Sequence, residues 1–174
     1  MKIAILGARG IPARYSGYDT LAEELAVRLV EKGHRVRVYC RRSYFKDRPK
    51  AYRGVELVYL PAPRGKGFES LLHSLLSAVH ALFRRGELIY FLDPANAPFV
   101  ALLRLFGKRV VVHTDGLGWK RRKWGPLARR YYKWVEGVCG RPASAPLAAH
   151  PAMAEHYQPT SGPARAQPPH GAPR

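Results

Sequence analysis

The chain has 174 residues, of which 47% are apolar, and its formal net charge is +18. This length is enough for one domain with a packed core but not for two full Rossmann-type domains, and the apolar fraction excludes disorder throughout. The charge indicates anionic partners, such as phosphorylated sugars, an acidic membrane surface or nucleic acid. Because the sequence has neither a signal peptide nor an apolar run of membrane-spanning length, we expect a cytoplasmic protein, with peripheral contact at the inner membrane face as an option.

Short apolar runs predict five strands, at 2–6, 36–40, 55–60, 88–92 and 109–113. Helical spacing of apolar residues predicts helices over 20–32, 68–85 and 96–106, and Pro126 favours a further helix start nearby. Thr20 and Glu23 have the spacing of a capping box, which places the start of the first helix at Thr20. The polar and basic residues 41–54 are predicted to form a loop.

The mostly alternating order of strands and helices predicts an α/β fold. We expect a Rossmann-like, doubly wound parallel sheet in a single domain, residues 1–140. Residues 141–174 contain eight prolines and one acid, Glu155, so this Pro/Ala-rich segment is predicted to be a disordered tail. Cys40 and Cys139 have no metal-ligand spacing, and we expect both to be unpaired thiols.

The loop after the first strand is the first candidate site, because ligands of parallel α/β sheets bind at the carboxyl ends of the strands. Its candidate phosphate-binding residues are Gly7, Arg9, Gly10, Arg14 and Gly17. Their backbone amides and guanidinium groups, with the N-terminus of the following helix, suit an anionic group. The loop lacks the dinucleotide pattern G-x-G-x-x-G, and no Walker A sequence occurs. A simple turn that needs glycine backbone angles is the alternative.

Polar residues after other predicted strands give further candidates. Asp115 lies in the segment HTDGLGW that follows the fifth strand, where a carboxylate can hold a sugar hydroxyl or act as a base. An Asx-turn that closes the strand is the alternative. His73 and His80 lie seven residues apart on one helix face, so His73 can face the cleft, although two half-buried histidines would give the same pattern. Spacing suggests no third ligand, so no metal is expected.

Two basic segments leave other function classes open. Residues 119–133 contain seven Lys or Arg interleaved with aromatic side chains, which suits a solvated basic face, an anionic-lipid contact or, with no motif to support it, nucleic acid. Arg41 and Arg42 follow the second strand, where cations can bind the 2′-phosphate of NADP. An NADP-binding domain and a basic nucleic-acid- or membrane-binding adaptor are therefore the alternatives to a sugar-binding domain.

Several motifs in one order resemble a known family. They are the segment from Gly7 to Thr20, the pair Glu69 and His73, the run ANAPF at 95–99, and DGLGWKRRKWG at 115–125. Together they resemble the N-terminal domain of rhamnosyltransferase-like members of bacterial glycosyltransferase family 4, over about residues 1–138. Family members usually have YGGFET where this chain has Tyr15-Ser-Gly-Tyr-Asp-Thr20, which is a mild departure.

The resemblance implies a GT-B enzyme, in which two Rossmann-like domains face each other across a cleft. It implies retaining transfer from a nucleotide-sugar co-substrate to a glycan or lipid-linked acceptor, without a metal or other cofactor, as in polysaccharide biosynthesis. In this reading the loop from Gly7 to Gly17 lies near the donor phosphates. Asp115 and His73 are catalytic, and the acceptor-binding residues are Glu69, Asn96, Trp119 and Lys120. Because residues 141–174 do not resemble a donor-binding domain, we expect a truncated chain that is inactive alone or works with a separate donor-domain chain.

Overall fold

The computed structural model describes residues 1–14, 16–62, 68–92, 97–114, Arg130 and 145–148. Its strands are β1 (Lys2–Leu6), β2 (Arg35–Arg41), β3 (Ala51–Tyr52), β4 (Val55–Leu60), β5 (Glu87–Phe91), β6 (Arg109–Thr114) and β7 (Ala145–Ala148). Its α-helices are α1 (Gly17–Glu31), α2 (Phe68–Leu82) and α3 (Ala97–Leu105), and a short 3₁₀ turn spans Arg42–Tyr44. The helix expected near Pro126 lies outside the described residues.

The seven strands form one sheet in the order β3-β4-β2-β1-β5-β6-β7. All neighbours pair in parallel except β3 and β4, which are antiparallel. The parallel strands follow the order typical of dinucleotide-binding folds, in which the chain reverses direction across the sheet between β1 and β5. The predicted Rossmann-like, doubly wound α/β fold is confirmed, and the carboxyl ends of β1 and β5 mark the crevice in which such sheets bind ligands.

Successive side chains of the buried strands point to opposite faces of the sheet, and each face has its own apolar core. One core packs α1 against the sheet through residues such as Ala22, Ala26 and Val38. The other packs α2 and α3 against the opposite face through residues such as Ala78 and Leu103. Strands covered on both faces are nearly continuously apolar, which explains why short apolar runs located them in the sequence.

Some predicted boundaries are wrong. Helix α1 begins at Gly17 rather than Thr20, because Ser16 is the N-cap and its hydroxyl accepts from the Asp19 amide at 3.3 Å. Helix α2 ends at Leu82 rather than 85. Strand β3 lies inside the predicted loop 41–54, where Arg53 and Gly54 both have positive φ and form a two-residue hairpin turn.

Strand β7 departs from the predicted tail. Residues 145–148 pair with β6 in parallel, so the prediction of disorder over 141–174 is wrong for these four residues. Pro146 has no amide hydrogen and is compatible with a strand at the sheet edge, which is where β7 lies. Cys40 is a buried free thiol, as expected, whereas Cys139 lies outside the described residues. Within the described helices, none combines the length and the apolar character that crossing a bilayer would require.

Candidate functional site

The loop between β1 and α1 is held at the carboxyl edge of the sheet by its backbone. The Arg9 carbonyl accepts from the Arg41 amide at 2.7 Å, which extends the loop along the end of β2. The Arg9 amide donates to Asp19 Oδ1 at 2.8 Å, and the Ala13 amide donates to Glu23 Oε2 at 2.6 Å. Since Ala8 and Ile11 are buried in the core under α1, the loop is fixed on both sides. Its position is therefore set before any ligand binds.

The glycines of this loop have different roles. Gly10 has φ +136°, and a Cβ there would lie 2.7 Å from Phe45 Cε2 and 2.8 Å from Cys40 Cβ. A close packing position explains this glycine without a ligand. Gly7 has φ +99°, which also favours glycine. Gly17 is different, because it is exposed as the first residue of α1 and has open space where a Cβ would project.

The first turn of α1 combines a helix start with a buried carboxylate. The first amides of a helix can bind an anion or a ligand oxygen, and in α1 those of Asp19 and Thr20 already bond to Ser16. Asp19 is fully buried, and while its Oδ1 accepts from Arg9, its Oδ2 has no hydrogen-bond partner among the described residues. A buried carboxylate oxygen without a donor is costly, and a buried water molecule can supply that donor.

A charged network joins the loop to helix α2. Arg41 is buried and donates to Glu69 Oε1 at 3.1 Å and to Ser70 Oγ at 3.0 Å. The other oxygen of Glu69 accepts from the Tyr44 hydroxyl at 3.2 Å. The guanidinium of Arg9 lies over the Tyr44 ring, 5.5 Å from its centre, in cation–π geometry. Arg9, half-exposed, is thus the outermost member of a network whose inner members are buried.

The contacts of this network test the predicted ligand roles of Glu69 and Arg41. Glu69, a candidate acceptor ligand, is 7% exposed and uses both carboxylate oxygens within the protein. Arg41, a candidate for the 2′-phosphate of NADP, is likewise 7% exposed and bound to Glu69. The interpretation of Arg41 as a ready phosphate ligand is wrong, because the guanidinium is already neutralised by a buried carboxylate. Arg42 is exposed.

His73 is fully buried beneath this network. Neither ring nitrogen has a hydrogen-bond partner among the described residues. Burial and then the charge of Arg41 lower the pKa of His73 to about 4, and the opposing charge of Glu69 offsets only part of this. His73 is therefore a neutral imidazole at physiological pH and does not line an open surface. His80 lies at the far end of the helix, where its Nδ1 is 2.8 Å from the Tyr39 hydroxyl.

The rings of Tyr18, Tyr90 and His113 lie together at the carboxyl edge beside β6. His113 is the last residue of β6 with a described side chain, and its Nδ1 lies 3.0 Å from the Tyr90 hydroxyl. The Tyr18 ring meets the His113 ring edge-on at 6.4 Å. Burial raises the pKa of Tyr90 to about 12, so the phenol keeps its proton at neutral pH. Tyr18 and His113 therefore connect the start of α1 to the end of β6.

The structure brings together part of the predicted site. Gly7, Arg9, Gly10 and Gly17 lie at one edge with Glu69 and His73 behind them, and Arg14 is exposed on the same loop. Asp115, Asn96, Trp119 and Lys120 lie outside the described residues. The sequence predictions did not place Tyr18 or Tyr44 in the site. The described residues hold no cluster of three possible metal ligands.

Comparison with known proteins agrees with this architecture. A family profile described as a glycosyl transferase 4-like domain matches residues 16–168. The chain belongs to this family. No curated protein sequence matches significantly. Among solved structures, sucrose-phosphate synthase from Thermosynechococcus elongatus matches with a TM-score of 0.72 at 20% identity, over 98% of this chain and 48% of that one.

The likeness to this solved structure shows the fold of the present chain. At 20% identity the likeness is one of architecture, and it confirms the Rossmann-like fold expected for the N-terminal half of a GT-B enzyme. The chain spans about half the length of that synthase. Its membership in the glycosyltransferase family is shown by the sequence match.

Proposed function

We propose that this domain forms one wall of a sugar-transfer cleft and receives the phosphates of a nucleotide-sugar at the β1–α1 loop. The observation that supports it is the hydrogen bond from the Arg9 amide to Asp19 in the first turn of α1, which brings half-exposed Arg9 to the helix start where Gly17 is exposed. Helix amides and a guanidinium are the groups that bind phosphate in other α/β folds. They lie at the strand-order reversal, where such folds bind ligands.

The proposed roles of the remaining groups follow from their surroundings. Asp19, which is fully buried, holds the Arg9 amide in place at the start of α1. Glu69 and Arg41 position Tyr44, and through its ring Arg9, rather than binding the acceptor directly. His73 contributes as a neutral buried imidazole behind the site. Asp115, Asn96, Trp119 and Lys120 remain proposed catalytic or acceptor residues from the family resemblance.

The reaction class also belongs to this proposal. A GT-B enzyme transfers sugar between two facing domains, and stabilisation of the transition state needs groups from both walls. We therefore propose retaining transfer to a glycan or lipid-linked acceptor, as in rhamnosyltransferase-like relatives, with a donor-binding domain opposite this wall. This chain by itself is then expected to bind a donor weakly and to turn it over poorly.

Binding of UDP-glucose or dTDP-rhamnose to the full chain tests the loop assignment. Arg9→Ala should weaken binding by about tenfold or more, because a hydrogen bond from a charged group to phosphate is worth about 1.5–3 kcal/mol. Arg28→Ala, an exposed arginine on the flank of α1, is the matched control and should bind as the wild type does. Equal affinity of the two variants at low salt would show that the loop is not part of the donor site.

A further inference from the structure

Helix α2 presents apolar side chains on the side that faces away from the sheet. Leu71, Leu75 and Val79 recur every four residues and are 42%, 38% and 38% exposed, and Phe83 continues the spacing just beyond the helix at 82% exposed. From residue 70 to 83 the sequence contains no Asp, Glu, Lys or Arg. The outer face of a helix in water normally has charged residues. This face is therefore suited to an apolar environment.

The end of α3 extends the same apolar surface. Leu105 and Phe106 are 81% and 62% exposed. The Lys108 ammonium donates to the Arg84 carbonyl at 2.5 Å, which fixes the turn after α3 beside the end of α2. We call the six exposed side chains the apolar stripe. Its members are Leu71, Leu75, Val79, Phe83, Leu105 and Phe106.

A basic rim adjoins the stripe where α2 ends. Phe83 is followed by Arg84 and Arg85, and all three line an open cavity of about 360 Å³ at the amino edge of the sheet. The two acids of this cavity are both bound to Arg37, Glu56 at 2.9 Å and Glu87 at 2.5 Å. The other cations of the cavity form no ion pair within the described residues. These cations, the basic rim, are Lys2, Arg35, Arg84 and Arg85.

Charge decides what can cover the stripe. A second copy of the chain would bring together two molecules of net charge +18 with their basic rims close to each other, which is electrostatically unfavourable. An anionic bilayer is complementary to both features, because apolar side chains enter the headgroup boundary while Lys and Arg bind lipid phosphates. We propose that the apolar stripe and the basic rim together dock this domain on an anionic phospholipid bilayer. Phe83 then enters the acyl boundary, and Arg84 and Arg85 bind headgroup phosphates.

The proposal goes beyond sugar transfer and needs no nucleotide-sugar, so it can fail or succeed independently. The test is sedimentation of the full chain with vesicles of equal parts phosphatidylglycerol and phosphatidylcholine, against phosphatidylcholine alone, in 0.1 M salt. The full chain should partition onto the anionic vesicles only. Phe83→Ser should lower the partition coefficient about tenfold. Arg84→Gln with Arg85→Gln should lower it about 25-fold, since each basic residue contributes about fivefold.

The matched control is Arg28→Gln with Lys32→Gln. These two cations are exposed at the C-terminal end of α1, on the opposite face of the sheet, so the variant removes the same charge from the same kind of helix end. It should change partition less than twofold. Equal losses in both double variants would show diffuse attraction by net charge and overturn the proposal.

Two further results would also overturn it. One is equal binding to both vesicle types. The other is self-association in sedimentation velocity that Phe83→Ser abolishes, which would assign the stripe to a second copy. Phe106→Ser is a second apolar variant with the same expected direction. The melting temperature of each variant checks that it is folded.

Discussion

The two edges of the sheet use charge in opposite ways. At the carboxyl edge, Arg41 and Glu69 are buried together, and the carboxylate of Asp19 is buried against the Arg9 amide. At the amino edge, the cations of the basic rim line an open cavity and have no acidic partner in the described part of the chain. Buried charges fix the backbone, whereas open charges remain available to a partner. Substitutions in the buried network at the carboxyl edge should therefore change stability, and those in the basic rim should change binding to an anionic surface.

The largest effect is expected from Arg41→Met, which leaves Glu69 as a buried carboxylate that has lost its ion-pair partner. Breaking a buried ion pair from one side costs about 3–5 kcal/mol. The free energy of unfolding, measured by urea denaturation, should fall by this amount. Arg28→Met removes an exposed arginine whose partner Glu24 is also exposed, so it should cost under about 0.5 kcal/mol. If the two losses were alike, the carboxyl-edge network would have no stabilising role.

The next effect separates two of the three glycines at the loop, Gly10 and Gly17. Gly10→Ala combines φ +136° with a Cβ 2.7 Å from Phe45, so we expect a loss of roughly 2–4 kcal/mol from backbone strain and overpacking. Gly17→Ala places a methyl group in open space at a helix start and should change stability by less than about 1 kcal/mol. Chemical denaturation of both variants measures the difference. A tolerated Gly10→Ala would contradict the packing explanation.

A smaller effect on the free energy of unfolding is expected when the pH is lowered. The pKa of His73 is about 4 in the folded chain, below the ordinary value of 6.5, so the unfolded chain takes up the proton first as pH falls. The contribution of the neutral, buried His73 to the free energy of unfolding is complete above pH 6.5. It is lost as the pH falls through 4. Between pH 7 and 5 the loss should be about 2 kcal/mol.

Replacement of His73 isolates this contribution from that of the carboxylates. His73→Leu should remove this part of the pH dependence, whereas His34→Gln, at a half-buried position at the other edge, should retain it. Urea denaturation at pH 7, 6 and 5 measures all three chains. Parallel pH profiles for wild type and His73→Leu would show that His73 titrates normally.

Local patterns in the sequence predicted the sheet, because strands covered on both faces are apolar runs and the helices between them end at glycines. They misplaced the start of α1 because two capping patterns overlap, Ser16 with Asp19 and Thr20 with Glu23. The Ser16 hydroxyl decides between them, because it accepts from the Asp19 amide, while Glu23 accepts from the Ala13 amide instead of serving a cap at Thr20.

The charged network was beyond the reach of sequence patterns for a similar reason. Arg41 and Glu69 are 28 residues apart, and they meet only after α2 packs on the sheet. Arg41 therefore looked like an available phosphate ligand in the sequence. The loop itself could be predicted as a candidate site, because its glycines and arginines follow a recognisable strand.

The most direct test of the account is backbone amide NMR of the labelled full chain titrated with dTDP in 0.15 M salt. If phosphate binds at the carboxyl edge, the amides of Arg9, Gly10, Gly17 and Tyr18 should shift saturably, while those of Lys2, Arg35 and Arg84 stay unchanged. Shifts confined to the amino edge, or none at the start of α1, would contradict a phosphate site at the β1–α1 loop.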